Sequence, residues 1–270
     1  MAYLNEAGFS MFEPNENGVV ANGDVAEVDL KSAEQCLTEV GAFAQVSCMR
    51  EVVAQENWNA QWEAEYPEVV IKDDAGNARC TIRAPFHKAP ASGLDVVVAP
   101  QMSFGTGHHA TTHLMSACLM DMPLEGTQVL DMGCGTGVLA LVAAQLGAAK
   151  VLGIDIEKNA VNNANDNVML NPNVNVERLT FELGDGSACD EMLPDIWNVI
   201  CANIQKNVLA ADMARYARTL APGGALLLSG FFAGDVPELH VVAEAQGLTC
   251  VGVSEMDGWA CMHCGKPLIA

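Results

Sequence analysis

The chain is predicted to be an α/β protein, a doubly wound sheet of seven strands preceded by a small and abbreviated α+β module. Three observations predict this. Residues 129–137 read Val-Leu-Asp-Met-Gly-Cys-Gly-Thr-Gly, and a second apolar run, Val151 to Ile154, ends on Asp155, which is a strand, a glycine turn, a helix and a second strand. From Val96 onward apolar runs alternate with helical spacing, the mark of a sheet covered on both faces. Up to about Glu56 the sequence is instead acidic and weakly patterned. The expected division is therefore 1–56 as an incomplete ferredoxin-like module, 57–90 as a linker helix and strand pair, and 91–270 as the large domain.

Gly8 to Glu13 and Gly18 to Ala21 read as two short strands around the turn Glu16-Asn17-Gly18. Ser32 to Val40 follows with Ala33, Cys36, Leu37 and Val40 on one helical face and Ser32 as its cap. Trp58, Trp62 and Tyr66 fall at i, i+4 and i+8, a packing seam of a helix that Pro67 ends. Strands over Glu68 to Lys72 and Ala78 to Ala84 flank the turn Asp73 to Asn77, and Pro85 to Pro90 is a linker. The strands expected beyond it are Val96 to Ala99, Val129 to Met132, Val151 to Ile154, Thr180 to Leu183, Ile196 to Ala202, Ala225 to Ser229, Thr249 to Glu255 and Trp259 to His263. Between them lie helices over Thr111 to Asp121, Val138 to Leu146, Lys158 to Leu170, Val208 to Leu220 and Asp235 to Gln246, with Ala221 to Gly224 as a sharp helix-to-strand turn.

With 270 residues, half of them apolar, the chain can bury a substantial core. No apolar run is long enough to cross a bilayer, and the start, Met-Ala-Tyr-Leu-Asn-Glu, has neither the basic residues nor the apolar stretch of a secretory signal, so a cytoplasmic protein is expected. Of the ten cysteines, Cys118, Cys134, Cys201 and Cys250 sit in apolar segments, which fits reduced, buried thiols. Cys261, His263 and Cys264 cluster near the end, but no second ligand pair accompanies them, so a terminal strand is expected there and no metal. The formal charge of -21 repels phosphate, which argues against nucleic acid and favours a basic protein partner.

The glycine turn bears on the cofactor. A dinucleotide fingerprint runs G-x-G-x-x-G and sets a pyrophosphate on a helix N-terminus. Here glycines stand at 133, 135 and 137, and Asp131 at the strand end would repel a pyrophosphate while welcoming an ammonium. S-adenosylmethionine has no phosphate and carries an amino acid tail beside a sulfonium, so Asp131, Gly133 and Gly135 suit it, with Asp155 accepting its ribose hydroxyls. A glycine turn of an unrelated α/β protein remains the plain alternative.

Two further segments carry chemistry. Residues 100–112, Pro-Gln-Met-Ser-Phe-Gly-Thr-Gly-His-His-Ala-Thr-Thr, form a loop with two glycines, hydroxyls and an aromatic ring that can close over a small ligand. Its adjacent imidazoles, His108 and His109, are read as loop residues, since sequence neighbours seldom bind one metal without a third ligand. Cys201-Ala202-Asn203-Ile204 ends a buried strand, so Asn203 should face the same crevice as Gly133 and Asp155 and hold an acceptor amine there, or else cap the helix that follows.

Together these residues match a known family. The loop of residues 100–112, the turn Val129 to Ala140, Gly153-Ile154-Asp155-Ile156 and Ala202-Asn203-Ile204 resemble the bacterial ribosomal protein L11 methyltransferases, from Asn57 to about Trp259. Asn57-Trp58-Asn59, Trp62-Glu63 and Ile82 to His87 are similar to that family's linker. The resemblance implies a Rossmann-like methyltransferase sheet and methylation of lysine side chains and the N-terminal amine of that ribosomal protein. It implies cofactor contacts at Thr112, Gly133, Asp155 and Asn203, closure by Phe104, Gly105, Thr106 and Gly107, and Asn203 with Ile204 facing the target amine. No dedicated general base is required. Family members open with a complete recognition domain, whereas this chain opens at what resembles the middle of its first helix, Leu4 to Phe9, so a shortened module is expected. Competing readings are a small-molecule methyltransferase, a cofactor-binding protein without catalysis, and, disfavoured by Asp131, an NAD-dependent dehydrogenase.

Overall fold

The computed structural model describes residues 2–15, 18–43, 45–51, 66–100 and 110–268. The chain divides into two compact units, Met1–Gln61 and Trp62–Ala270. The expected aromatic seam at Trp58 and Trp62 and the turn at Glu16-Asn17 lie outside the described residues.

In the first unit a short helix α1 (Ala2–Glu6) precedes an antiparallel hairpin, β1 (Met11–Asn15) with β2 (Gly18–Asn22), in which Met11 pairs with Asn22. Helix α2 (Leu30–Gly41) then follows. Its cap is Asp29, not Ser32. One carboxylate oxygen accepts the Lys31 and Ser32 N–H groups at 3.0 and 3.3 Å, and the other accepts the Ser32 hydroxyl at 2.8 Å. A carboxylate one turn earlier out-competes a hydroxyl for the free N–H groups of the first turn. Of the face expected to be apolar only Ala33 is buried, and Val40 is 43% exposed.

The second unit holds two sheets. A small one joins β3 (Val69–Lys72), β4 (Ala78–Arg83) and β5 (Leu94–Val97), with β3 antiparallel and β5 parallel to β4. The turn between β3 and β4 is held by Asp73, whose carboxylate accepts the Asn77 backbone and side-chain N–H groups at 2.8 and 3.0 Å. Arg83 grips Asp95 through two parallel bonds of 2.6 and 2.8 Å, tying β4 to β5. The apolar run at Val96 was expected in the large sheet; it belongs here, because a run of buried residues carries no information about which strand it will pair with.

The large sheet has seven strands: β6 (Gln128–Met132), β7 (Lys150–Asp155), β8 (Leu179–Leu183), β9 (Trp197–Asn203), β10 (Leu220–Phe232), β11 (Thr249–Met256) and β12 (Trp259–Gly265), in the order β11-β12-β10-β9-β6-β7-β8. Only β12 runs against its neighbours. Its reversal is made by Asp257-Gly258, a two-residue turn with both φ angles positive, 51° and 80°. Pro222-Gly223-Gly224 was expected to separate helix from strand. Instead Leu220 already pairs with Trp197, and the register slips before Ala225 meets Val199, so those residues form a bulge inside β10.

Alternation along the strands feeds two cores. On one face Val129, Val151 and Val199 pack under α3 (Ala110–Met120), α4 (Val138–Gln145) and α5 (Lys158–Met169), together with Ile71, Ile82 and Val96 of the small sheet. On the other, Leu130, Met132, Ile154 and Ile200 pack under the helices Lys206–Thr219 and Val236–Ala245 through Leu209, Met213, Tyr216 and Leu239. A four-residue helix, Ala188–Glu191, completes the helices described. The tail cysteines lie three apart on β12 and so face opposite cores, Cys261 beside Cys118 and Cys264 beside Cys250. Such a pair cannot converge on one ion. No helix among the described residues is long and apolar enough to cross a membrane.

Candidate active site

The chain leaves β6 toward β7 and β8 on one side and later fills β9 and β10 on the other, so the strand order switches between β6 and β9. In open α/β sheets that crevice, beyond the carboxyl ends of the strands, is where ligands bind. The ends of β6, β7, β8 and β9 deliver Gly133, Asp155, Gly184 and Asn203–Ile204 to it.

Gly133, Gly135 and Gly137 have φ angles of 70°, 53° and 76°, a left-handed backbone that only glycine adopts cheaply. At Gly133 space matters as well, since a Cβ there would fall on the Cγ2 of Ile204. A Cβ on Gly137 would meet Phe181 and the Ala164 methyl at 3.0 and 3.1 Å. The turn is thus bare backbone facing the crevice. It is closed from the side by Asp155, whose Oδ2 accepts the Gly135 N–H at 2.8 Å while Oδ1 accepts the Glu157 N–H at 2.9 Å. Each oxygen keeps a lone pair for another donor.

Asp131 is 1% exposed, and neither of its oxygens has a hydrogen-bond partner. Burial pushes its carboxyl up to about 7, against the pull of the nearby Ala140 N–H, and the Asp155 charge adds to the rise. Burial also raises the neighbouring thiols of Cys134 and Cys201, so both stay neutral beside the acid.

Asn203 closes β9 half-buried, paired in register with Ser229, and the Ile204 N–H donates to the Ser229 carbonyl at 3.1 Å. The helix after it starts at Lys206 with Gln205 in the capping position, which removes the capping role from Asn203. Thr112 is buried in the first turn of α3, a helix that packs over β9, β10 and β12. Phe104, Gly105, Thr106 and Gly107 lie outside the described residues.

One part of the site escaped the sequence reading. Beside Asp155 an open pocket of about 420 Å³ is lined by Ile156, Leu183, Gly184, Asp185, Ser187 and Glu191. Ile156 and Leu183 are 69% and 60% exposed there, an apolar wall with acidic edges. A large apolar residue directly after a strand-end acid, as Ile156 follows Asp155, is the signal that was available.

Known proteins agree with this geometry. The sequence model described as ribosomal protein L11 methyltransferase (PrmA) matches residues 13–267. The chain belongs to the ribosomal protein L11 methyltransferase family. A ribosomal protein L11 methyltransferase of Porphyromonas gingivalis is 40% identical over 269 residues, covering 97% of this chain and 88% of that one. Among solved structures, a ribosomal protein L11 methylase from Lactobacillus delbrueckii subsp. bulgaricus superposes with a TM-score of 0.65 over 75% of this chain and 100% of its own, at 20% identity. The [4+2]-cyclase SpnF reaches a TM-score of 0.50 at 16% identity over 57% of this chain and 81% of its own. A cyclase on the same scaffold means that fold alone does not fix the reaction; the family and the site must.

Proposed function

We propose that this chain transfers methyl groups from S-adenosylmethionine to amino groups of ribosomal protein L11, on lysine side chains and at the N-terminus. The observation that carries the reading is Asp131, a buried carboxyl without a hydrogen-bond partner at the strand end, next to a turn that offers only backbone. A buried acid is costly unless something joins it, and a cationic amino acid tail does so where a pyrophosphate would not. Family membership supports the substrate, and the net charge of -21 suits a basic protein partner.

The cofactor would supply a methyl group activated by a sulfonium. Asp155 holds the ribose hydroxyls with the lone pairs left beside Gly135 and Glu157. Ile156 and Leu183 cover the base, and Asp185 and Ser187 offer polar atoms at its rim. Asn203, with the Ile204 carbonyl beside it, takes the hydrogens of an uncharged acceptor amine and points its lone pair along the line of transfer. Thr112 and residues 104–107 act from the methionine end. The lysine proton leaves to water beforehand, so no side chain serves as a base.

Calorimetric titration tests the cofactor half: S-adenosylmethionine binds and NAD does not. The reverse result refutes the reading.

A further inference from the structure

Helix α5 and the residues just past its end carry an asparagine face that the reaction as described does not use. Asn163, Asn167 and Asn171 fall at i, i+4 and i+8, and all are buried to within 2% of full enclosure. Carboxamides are buried at a cost unless their partners are supplied, so a repeated buried face of them has to be matched elsewhere in the fold. It is matched by backbone. The Asn171 Oδ1 accepts the Val97 N–H at 2.9 Å and its Nδ2 donates to the Val97 carbonyl at 2.8 Å, extending the β5 ladder as a neighbouring strand would. The Asn167 Oδ1 accepts the Ala99 N–H at 2.9 Å. Its Nδ2 donates in the other direction, to the Thr136 carbonyl at 2.9 Å and to the Asn163 Oδ1 at 3.3 Å.

The two amides differ in what they join. The Asn171 side chain bonds to β5 and, just past the end of α5, back to the Asn167 carbonyl of that helix at 2.7 Å. Asn167 spans two separate segments: Thr136, which lies between Gly135 and Gly137 in the turn, and Ala99, which stands just ahead of the segment carrying the loop motif. The turn has one bond of its own, from the Gly137 N–H to the Cys134 carbonyl at 2.8 Å, but its glycines lack side chains and α4 has no side-chain cap at Gly137. Small residues bring the helix close enough to brace it, with Ala164 already against Gly137.

We propose that Asn167 is a positioning residue of the cofactor site, its carboxamide holding the glycine turn and the chain after β5 in one register. This rests on the crevice being the S-adenosylmethionine site. Asn167 does not touch the cofactor; it sets where the Gly135 and Gly137 backbone stands relative to residues 99–100.

Full-length Asn167→Ala and Asn171→Ala are the paired test, since the first strips the Ala99 N–H and the Thr136 carbonyl of their side-chain partner and the second strips the Val97 N–H and carbonyl and the Asn167 carbonyl. Both should melt earlier than the parent. Only Asn167→Ala should weaken S-adenosylmethionine binding, by about tenfold, the size of one buried hydrogen bond passed on to the site. Equal weakening by both variants, or none by Asn167→Ala, overturns the proposal. Amide exchange without cofactor gives an independent reading. Asn167→Ala should speed exchange at Ala99 and at Gly135 and Gly137 together, whereas Asn171→Ala should speed it at Val97 only. Asn167→Asp, which keeps an acceptor for Ala99 and loses the donor to Thr136, should loosen the turn and leave Ala99 protected. A turn as protected as the parent's in the Asn167 variants refutes the coupling. A parent chain that binds no S-adenosylmethionine sinks the proposed function instead, and exchange still decides on Asn167.

Discussion

An acid enclosed at the end of a parallel strand holds its proton until a cation arrives, and Asp131 is such an acid. Its folded value, about 7, stands above the ordinary 3.8, so the stability it contributes is complete below about 4 and is lost as the pH rises through about 7. Asp131→Asn should therefore melt higher than the parent near pH 8, with the gap closing as the pH falls toward about 4; a constant gap would show that the acid is not held neutral. An ammonium group needs the ionised form, so S-adenosylmethionine should bind the parent more weakly below about pH 7, and Asp131→Asn should lose that dependence. Asp155→Ala removes the acceptor of the Gly135 and Glu157 N–H groups together with the ribose contact proposed for it, and cofactor affinity should fall by about 1–3 kcal/mol. Unchanged calorimetric affinity would take Asp155 out of the site. These acids were legible from the sequence because each ends an apolar run. Asn163, Asn167 and Asn171 were not, since amides at helical spacing carry no mark of burial until the fold encloses them.

Among the elements, the glycine turns at Gly133 and Gly258 separate conformational cost from crowding. Gly258 closes the β11–β12 hairpin at φ 80° with nothing near its missing Cβ, so Gly258→Ala should cost about 1–2 kcal/mol of stability, by denaturant unfolding, and leave cofactor affinity intact. Gly133→Ala meets the same backbone cost and also drives a methyl into Ile204, so it should lose both stability and cofactor binding. Equal affinities in the two variants would contradict the placement of Gly133 at the crevice. The core strands were legible as buried apolar runs, and their ends moved by a residue or two except in β10, which runs Leu220–Phe232 where Ala225 to Ser229 was expected. What the runs did not contain was pairing. Val96 went to the small sheet, and the Ala221 to Gly224 stretch became a bulge because Leu220 found a partner in Trp197 before the expected strand began. The Asp257-Gly258 dipeptide was the available signal for the one reversed strand.

At the scale of the whole molecule, 34 acidic residues against 13 basic ones give a field that reaches beyond any single contact. If it steers a basic protein toward the crevice, raising the salt should lower kcat/KM for ribosomal protein L11 while leaving kcat nearly unchanged, because screening acts on encounter and not on the enclosed site. A salt-independent kcat/KM would remove steering from the account. Incubating the purified chain with S-adenosylmethionine carrying a labelled methyl group and with ribosomal protein L11, then mapping the label by peptide mass spectrometry, tests the transfer itself directly. Label is expected on amino groups of that protein, and it should disappear when Asn203→Ala replaces the parent. Label-free L11, under conditions where calorimetry finds the cofactor bound, would contradict the transfer.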